Sequence, residues 1–243
     1  MRDDVYEEMF RIEDAHWWYV AKQRIVASLI ARYAPRPGRL NIADLGCGCG
    51  AMLNRLKHDH DVAGVDPSPL AIRFSARRGL NVLEGSFPDR IPLEPAAFDL
   101  ALLLDVIEHL EDDVAGLRAA ARVVRPGGKL IITVPAYQWL WSDWDRLHHH
   151  YRRYNRSTLQ QSLVNVGLRI ELLSYANTTL FPLAATARLL HKLRRTKPET
   201  ADMKIPPAPV NAVFRGIYGF ERHLLGRLPM PFGLSVVAVA QVA

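Results

Sequence analysis

Residues 40–45 form a short apolar run that stops on glycines at alternate positions, Gly46, Gly48 and Gly50. A helical pattern over 51–58 follows at once. A buried strand that turns sharply into a helix, with glycines allowing the turn and a close approach to the backbone, is the opening move of an open α/β sheet. The rest of the chain keeps that rhythm. Short apolar runs at 61–65, 80–84, 98–104, 129–134, 168–176 and 234–242 read as strands, with helical patterns at 69–78, 112–124 and 157–166 between them. The run at 98–104 is apolar along nearly its whole length, which suits a strand covered on both faces. Strands alternating with helices predict right-handed crossovers and a mostly parallel, doubly wound, seven-stranded sheet.

Two segments fall outside the rhythm. Residues 5–33 read as helical with a break near His16, and Pro35, Pro37 and Gly38 stop them. Residues 177–233 separate the last two strands, where a tight connection would be much shorter. They hold a helical stretch at 183–195, a polar and proline-rich stretch at 196–209, and a second helical stretch at 210–228. The expected organisation is an N-terminal helical lid (1–38), a ligand-binding core (39–176), a helical cap insertion (177–233) and a last core strand (234–243).

Composition narrows the class. The chain has 243 residues, 49% hydrophobic and 23% charged, as an ordinary globular protein has. The start is acidic, with no apolar run behind it that would read as a secretory signal. No apolar stretch reaches the roughly 18 residues that span a bilayer. The two cysteines, Cys47 and Cys49, stand one residue apart; a disulfide framework is excluded, and a cytoplasmic setting is expected. The net charge of +6 suits an acidic substrate, a membrane surface or nucleic acid, or nothing beyond solubility.

The glycine turn separates two kinds of ligand. Asp66, about 20 residues beyond the turn, ends the second strand, where an acid accepts hydrogen bonds from ribose hydroxyls. A dinucleotide fingerprint needs G-x-G-x-x-G. Here the glycines alternate, and an acid, Asp44, precedes the first by two residues. Asp44-Leu45-Gly46-Cys47-Gly48-Cys49-Gly50 resembles motif I of the class I S-adenosylmethionine-dependent methyltransferases. Glu84-Gly85-Ser86-Phe87, Asp105-Val106-Ile107-Glu108-His109-Leu110 and Arg125-Pro126-Gly127-Gly128 follow in the order of that family's later motifs. His16-Trp17-Trp18-Tyr19, Leu140-Trp141-Ser142 and His150-Tyr151-Arg152-Arg153-Tyr154 are similar to a bacterial small-molecule subgroup of the broad ubiquinone type. The resemblance implies S-adenosyl-L-methionine as methyl donor, held by Asp44, Gly46, Cys47, Gly48, Gly50, Asp66, Pro67, Ser86, Phe87, Asp105 and Val106. Many members carry an acid where Ser86 stands, so the adenine contact departs from the family pattern.

The remaining candidates are for the methyl acceptor. His150, with Asp145 to orient it, is the expected general base, because imidazole titrates near neutrality; His109 is next in line. Trp17 and Tyr19 read either as core or as a lid over the donor's sulfonium. Trp141, with Trp139 and Trp144, follows the fifth strand and reads as a pocket wall. Arg152, Arg153 and Tyr154 are expected to bind substrate. No metal is expected: Cys47 and Cys49 lack the usual zinc spacing, and the consecutive His148, His149 and His150 would point to alternate sides of an extended segment. The expected reaction is methyl transfer to a small-molecule or lipid-linked acceptor, at oxygen before nitrogen or carbon. The alternatives are a nucleic-acid methyltransferase and a donor-binding protein without turnover; against the first, no N-P-P-Y-like motif follows the fourth strand. Arg188, Lys192, Arg194 and Arg195 beside apolar residues give 180–197 the character of a segment that caps the domain or lies on an anionic membrane face.

Overall fold

The computed structural model describes residues 3–194 and 204–243. Seven strands form one sheet: β1 (Asn41–Leu45), β2 (Asp61–Asp66), β3 (Val82–Glu84), β4 (Phe98–Leu104), β5 (Val124–Pro135), β6 (Arg169–Ala176) and β7 (Ser235–Gln241). Their spatial order is β3-β2-β1-β4-β5-β7-β6. All pairings are parallel except those of β7, which runs antiparallel between β5 and β6. The order reverses between β1 and β4, and the crevice at the carboxyl ends of those strands is where open α/β sheets bind ligands.

Strand alternation explains the two-faced core. In β1 and β4, Ala43, Leu45, Ala101 and Leu103 point to one face, while Ile42, Leu100 and Leu102 point to the other. All seven are fully buried, each large aliphatic side chain contributing about 1.5–3 kcal/mol. Helices α5 (Asp113–Val123) and α7 (Arg156–Asn165) cover the first face through Leu117, Ala120, Leu159 and Leu163. Helix α2 (Trp17–Tyr33) covers the second through Ala21, Ile25, Leu29 and Ile30. The helix starts are written in the sequence. His16 caps α2, Asp112 caps α5, and Ser68 caps α4 (Pro69–Arg77) with a proline in its first turn.

Helix α1 (Asp3–Ile12) lies across α4, with the Phe10 and Phe74 rings stacked 4.4 Å apart. Helix α3 (Ala51–Leu56) leaves the glycine turn directly. A five-residue helix α6 (Asp143–Leu147), not foreseen from the sequence, follows β5. In the segment after β6 stand α8 (Phe181–Arg194) and α9 (Ala208–Phe220). The second helical stretch, expected to reach residue 228, stops at Phe220 and tightens into a 3-10 turn. Glu221 explains the change: its buried carboxylate accepts from the backbone N–H groups of Asn177, Thr178 and Thr179, tying the end of β6. Of the stretch expected at 183–195, Arg195 lies outside the described residues, as do the side chains of Lys192 and Arg194. Among the described residues, no helix is long and apolar enough to cross a membrane.

Candidate functional site

The carboxyl ends of β1, β2 and β4 carry the predicted glycine turn, Asp66, Asp105 and Val106. Beyond β1, Gly46, Gly48 and Gly50 all take positive φ (77°, 56° and 79°), which costs little only without a Cβ. The space is also taken: a Cβ on Gly46 would meet Val106 at 2.8 Å, and one on Gly48 would meet the Met9 methyl at 2.8 Å. The turn is anchored by the Gly46 and Cys47 N–H groups, which donate to the Val65 carbonyl at 2.8 and 3.1 Å. Cys47 is half-buried and Cys49 buried, both as free thiols packed into the turn.

Two carboxylates frame this turn. Asp44 is buried and its Oδ1 has no hydrogen-bond partner. Burial lifts its pKa to about 7, against the opposing pull of Lys22. Asp66 ends β2 and accepts from the Gly48 N–H at 2.8 Å, the Ser68 N–H at 3.0 Å and the Tyr6 hydroxyl at 3.2 Å. Burial raises its pKa, and the two backbone donors hold the rise in check. Tyr6 and Met9, both on α1, thus touch the turn itself; the sequence offered no motif to single them out. Pro67 is exposed at the rim. Ser86 is exposed and bridges to Arg90, while the Phe87 ring packs toward Gly116 of α5.

The segment after β4 links this turn to a second cluster. Asp105 sits at φ 58°, with its backbone N–H on the Thr133 carbonyl at 2.9 Å. Its carboxylate takes a hydrogen bond from the Thr133 hydroxyl at 3.0 Å and an ion pair from Lys22 of α2. Lys22 in turn lies 4.9 Å from the Trp18 ring. The next residue, Val106, packs against Gly46. Three residues further, the His109 ring meets the His150 ring edge-on at 4.6 Å. Burial lowers the His109 pKa to about 4, and the neighbouring His150 adds to it, so its ring is neutral.

His150 is held from behind. Its Nδ1 lies 2.9 Å from Asp145 Oδ1, and the fully buried Asp145 also takes a two-pronged pair from Arg153 at 2.7 and 2.9 Å. The Ser142 N–H and hydroxyl complete the set at 2.8 and 3.1 Å. Burial alone would raise the Asp145 pKa; the bonds from His150 and Arg153 outweigh it and hold the carboxylate well below its usual range. The carboxylate therefore fixes one face of His150 and leaves Nε2 for other work.

Three residues expected at the substrate are spent inside the protein. Arg153 is buried on Asp145 and the Ala136 carbonyl. Arg152 pairs with Asp113 at 3.1 Å, and the buried Tyr154 hydroxyl donates to Asp113 at 2.9 Å. The run 152–154 is thus a brace between α5 and the loop that carries His150. Trp17 packs edge-on against Phe214 and Tyr218 of α9. Tyr19 packs beside Val5, Ile12 and Trp144, and Trp141 is half-buried at the start of α6.

A family model described as a methyltransferase domain matches residues 43–132, from within β1 to within β5. A ubiquinone biosynthesis O-methyltransferase of Methylocella silvestris is 36% identical over 104 residues, covering 40% of this chain and 41% of that protein. A malonyl-[acyl-carrier protein] O-methyltransferase of Hahella chejuensis is 31% identical over 143 residues, covering 54% of this chain and 51% of that one. The chain thus spans about half or less of the length of these curated relatives. In fold, it superposes on a solved S-adenosylmethionine-dependent methyltransferase of Thermotoga maritima with a TM-score of 0.59 at 18% identity, covering 98% and 99% of the two chains. With the glycine turn, its two acids and the later motifs at the carboxyl edge of a seven-stranded sheet, this chain carries a match to the methyltransferase domain over residues 43–132, set in the fold of the class I S-adenosylmethionine-dependent methyltransferases.

Proposed function

We propose that the chain transfers a methyl group from S-adenosylmethionine to a nucleophilic oxygen of a small-molecule or lipid-linked acceptor. The observation that carries the donor is Asp44: a buried carboxylate oxygen with no protein partner, beside a turn that leaves no room for side chains. An orphaned buried acceptor of this kind is costly unless a ligand fills it. The donor's ammonium suits it, and Asp66 at the neighbouring strand end suits the ribose. Pro67, Ser86 and Phe87 line the way to the adenine end in this reading. Val106 and Asp105 line the methionine half.

The donor supplies an activated methyl on a positive sulfur. The protein's own part is to align the nucleophile with that methyl, keep water away and handle one proton. The segment 105–109 joins the two halves of that task, since Val106 touches the glycine turn and His109 touches His150. His150, backed by Asp145 and flanked by His109, is the group that activates the acceptor. Arg152, Arg153 and Tyr154 support it as positioning residues. The names of the relatives, both O-methyltransferases, favour oxygen as the nucleophile.

Around this centre, residues 1–38 act as a lid and 177–233 as a cap. Tyr6 and Met9 already lie on the donor turn, while Trp17 joins lid to cap through α9. Leu183 and Leu189 on α8, and Val213 and Phe220 on α9, are exposed. Such a surface on a basic chain fits a cytoplasmic protein that touches the anionic inner membrane face to reach a lipid-linked acceptor. Flotation with anionic vesicles should show binding that weakens with salt; no binding at low salt would restrict 177–233 to a cap.

The direct test of activity is incubation with isotope-labelled donor and a cell extract, read by mass spectrometry. One extracted metabolite should gain the label. His150→Ala should slow the transfer about 10²–10⁴-fold with donor affinity near wild type. Donor binding without any labelled product across extracts would favour a binding protein instead, and label in nucleic acid would favour the basic-surface alternative.

A further inference from the structure

The cluster beside the donor turn contains one group that the proton-handling role leaves unused. Glu108 is fully buried, and neither of its carboxylate oxygens has a hydrogen-bond partner. A protein seldom keeps such a group without a use, because an unpartnered buried carboxyl costs several kcal/mol. Lys22 and Arg153 lie near enough to act on it electrostatically, yet each is committed elsewhere, to Asp105 and Asp145.

Glu108 faces two imidazoles. One ligand atom from each of Glu108, His109 and His150 lies within 4.8 Å of the others. Each ring has an outer partner: His150 Nδ1 meets Asp145, and His109 bonds to the His148 backbone. Asp145 is itself locked by Arg153 and Ser142. A neutral imidazole, fixed through one nitrogen by a carboxylate or carbonyl and open at the other, is how protein metal ligands are usually presented. The three groups come from two segments, the turn after β4 and the loop after α6. Local spacing within 148–150 therefore gave no sign of them, and the sequence led us to expect no metal.

We propose that Glu108, His109 and His150 bind a divalent first-row transition cation, with Asp145 and Arg153 positioning His150. Two imidazoles and one carboxylate suit Zn²⁺, Mn²⁺, Co²⁺ or Fe²⁺ better than Mg²⁺ or Ca²⁺, which prefer oxygen. Three protein ligands leave coordination positions for oxygen, so the ligand class at the open side is a hydroxyl-bearing acceptor. Its role, though not the binding itself, rests on the methyltransfer reading, in which His150 then activates the acceptor through the cation and not as a free base. A hydroxyl held by the cation ionises more readily. Its proton passes to solvent, the oxygen forms the new C–O bond, and the C–S bond electrons return to sulfur.

The test uses the full chain, stripped with a chelator and titrated with Co²⁺ in the absence of donor. Visible absorption bands and calorimetry should report about one ion per chain. Glu108→Gln and His109→Ala should each weaken binding at least tenfold, and Asp145→Asn should weaken it about 10–100-fold through His150. Glu108→Gln removes a buried acid, so its folding, followed by thermal melting, should hold. No binding at millimolar Co²⁺, or binding that the well-folded Glu108→Gln leaves unchanged, would overturn the site. Donor affinity measured on the same samples separates the two readings: Co²⁺ binding in a protein that takes no donor would keep the cation site and overturn the methyltransfer reading.

Discussion

At the scale of single residues, the proposed donor site turns on carboxylates whose surroundings are set by the backbone. Asp44 has a pKa of about 7 because it is buried with one oxygen unpartnered. Its folded pKa stands above its ordinary value, so it favours the fold at low pH and costs stability as pH rises through about 7. A bound ammonium reverses that preference by pulling the carboxyl into its ionised form. Donor affinity should therefore fall as pH drops below 7, approaching about tenfold per pH unit. Binding at pH 7 should also release protons, seen as a calorimetric enthalpy that changes with the buffer's ionisation heat. Flat affinity between pH 5 and about 7, with no buffer dependence, would remove Asp44 from the ammonium. The alternating glycines and Asp66 were legible because each obeys a local rule, a positive φ or a strand-end acid. Asp145 and Arg153 show the limit of such rules. In sequence they are an orienting acid and a substrate-binding base; in space they are one buried pair, and only the tertiary structure says that the arginine belongs to the acid.

Elements carry the next level. The strands were readable because a strand covered on both faces must be apolar throughout, and β4, Phe98–Leu104, is apolar at all but one position. Helix α6 was missed because five residues are too few to show a period, and its start is fixed by Asp145 folding back to the Ser142 N–H. The end of α9 was misplaced for a different reason. Its helical pattern continues in sequence, but Glu221 is taken up by the backbone after β6. Helix α1 is the element whose position has most consequence for function. Its Tyr6 hydroxyl lies on Asp66, where the donor's ribose would bind. Opening of α1, or at least a turn of the Tyr6 side chain, should accompany donor entry. Tyr6→Phe removes the competing hydrogen bond, worth about 0.5–1.5 kcal/mol, and should tighten donor binding by about 2–10-fold. Weaker binding in that variant would show that Tyr6 contacts the donor as a partner and does not compete with it.

For the whole molecule, the fold explains why the chemistry falls where it does. The order of the sheet reverses between β1 and β4, so the turns after both strands open into one crevice. The first turn offers carboxylates and bare backbone; the second offers Asp105, Glu108 and His109. The loop after β5 supplies His150 to the same place, and α5 braces that loop through Asp113. In the proposed reading, the donor and acceptor groups are therefore carried by turns and loops that follow different strands of one sheet. Such an arrangement would fix alignment without requiring the proposed lid or cap to create it. The central claim is that the glycine turn of this crevice holds S-adenosylmethionine. Its most direct test is calorimetric titration of the purified chain with S-adenosylmethionine and with NAD, repeated on Asp66→Ala. The account predicts saturable binding of S-adenosylmethionine, none of NAD, and a loss of about 1–3 kcal/mol in the variant. No binding of the donor, or the same affinity in Asp66→Ala, would contradict it.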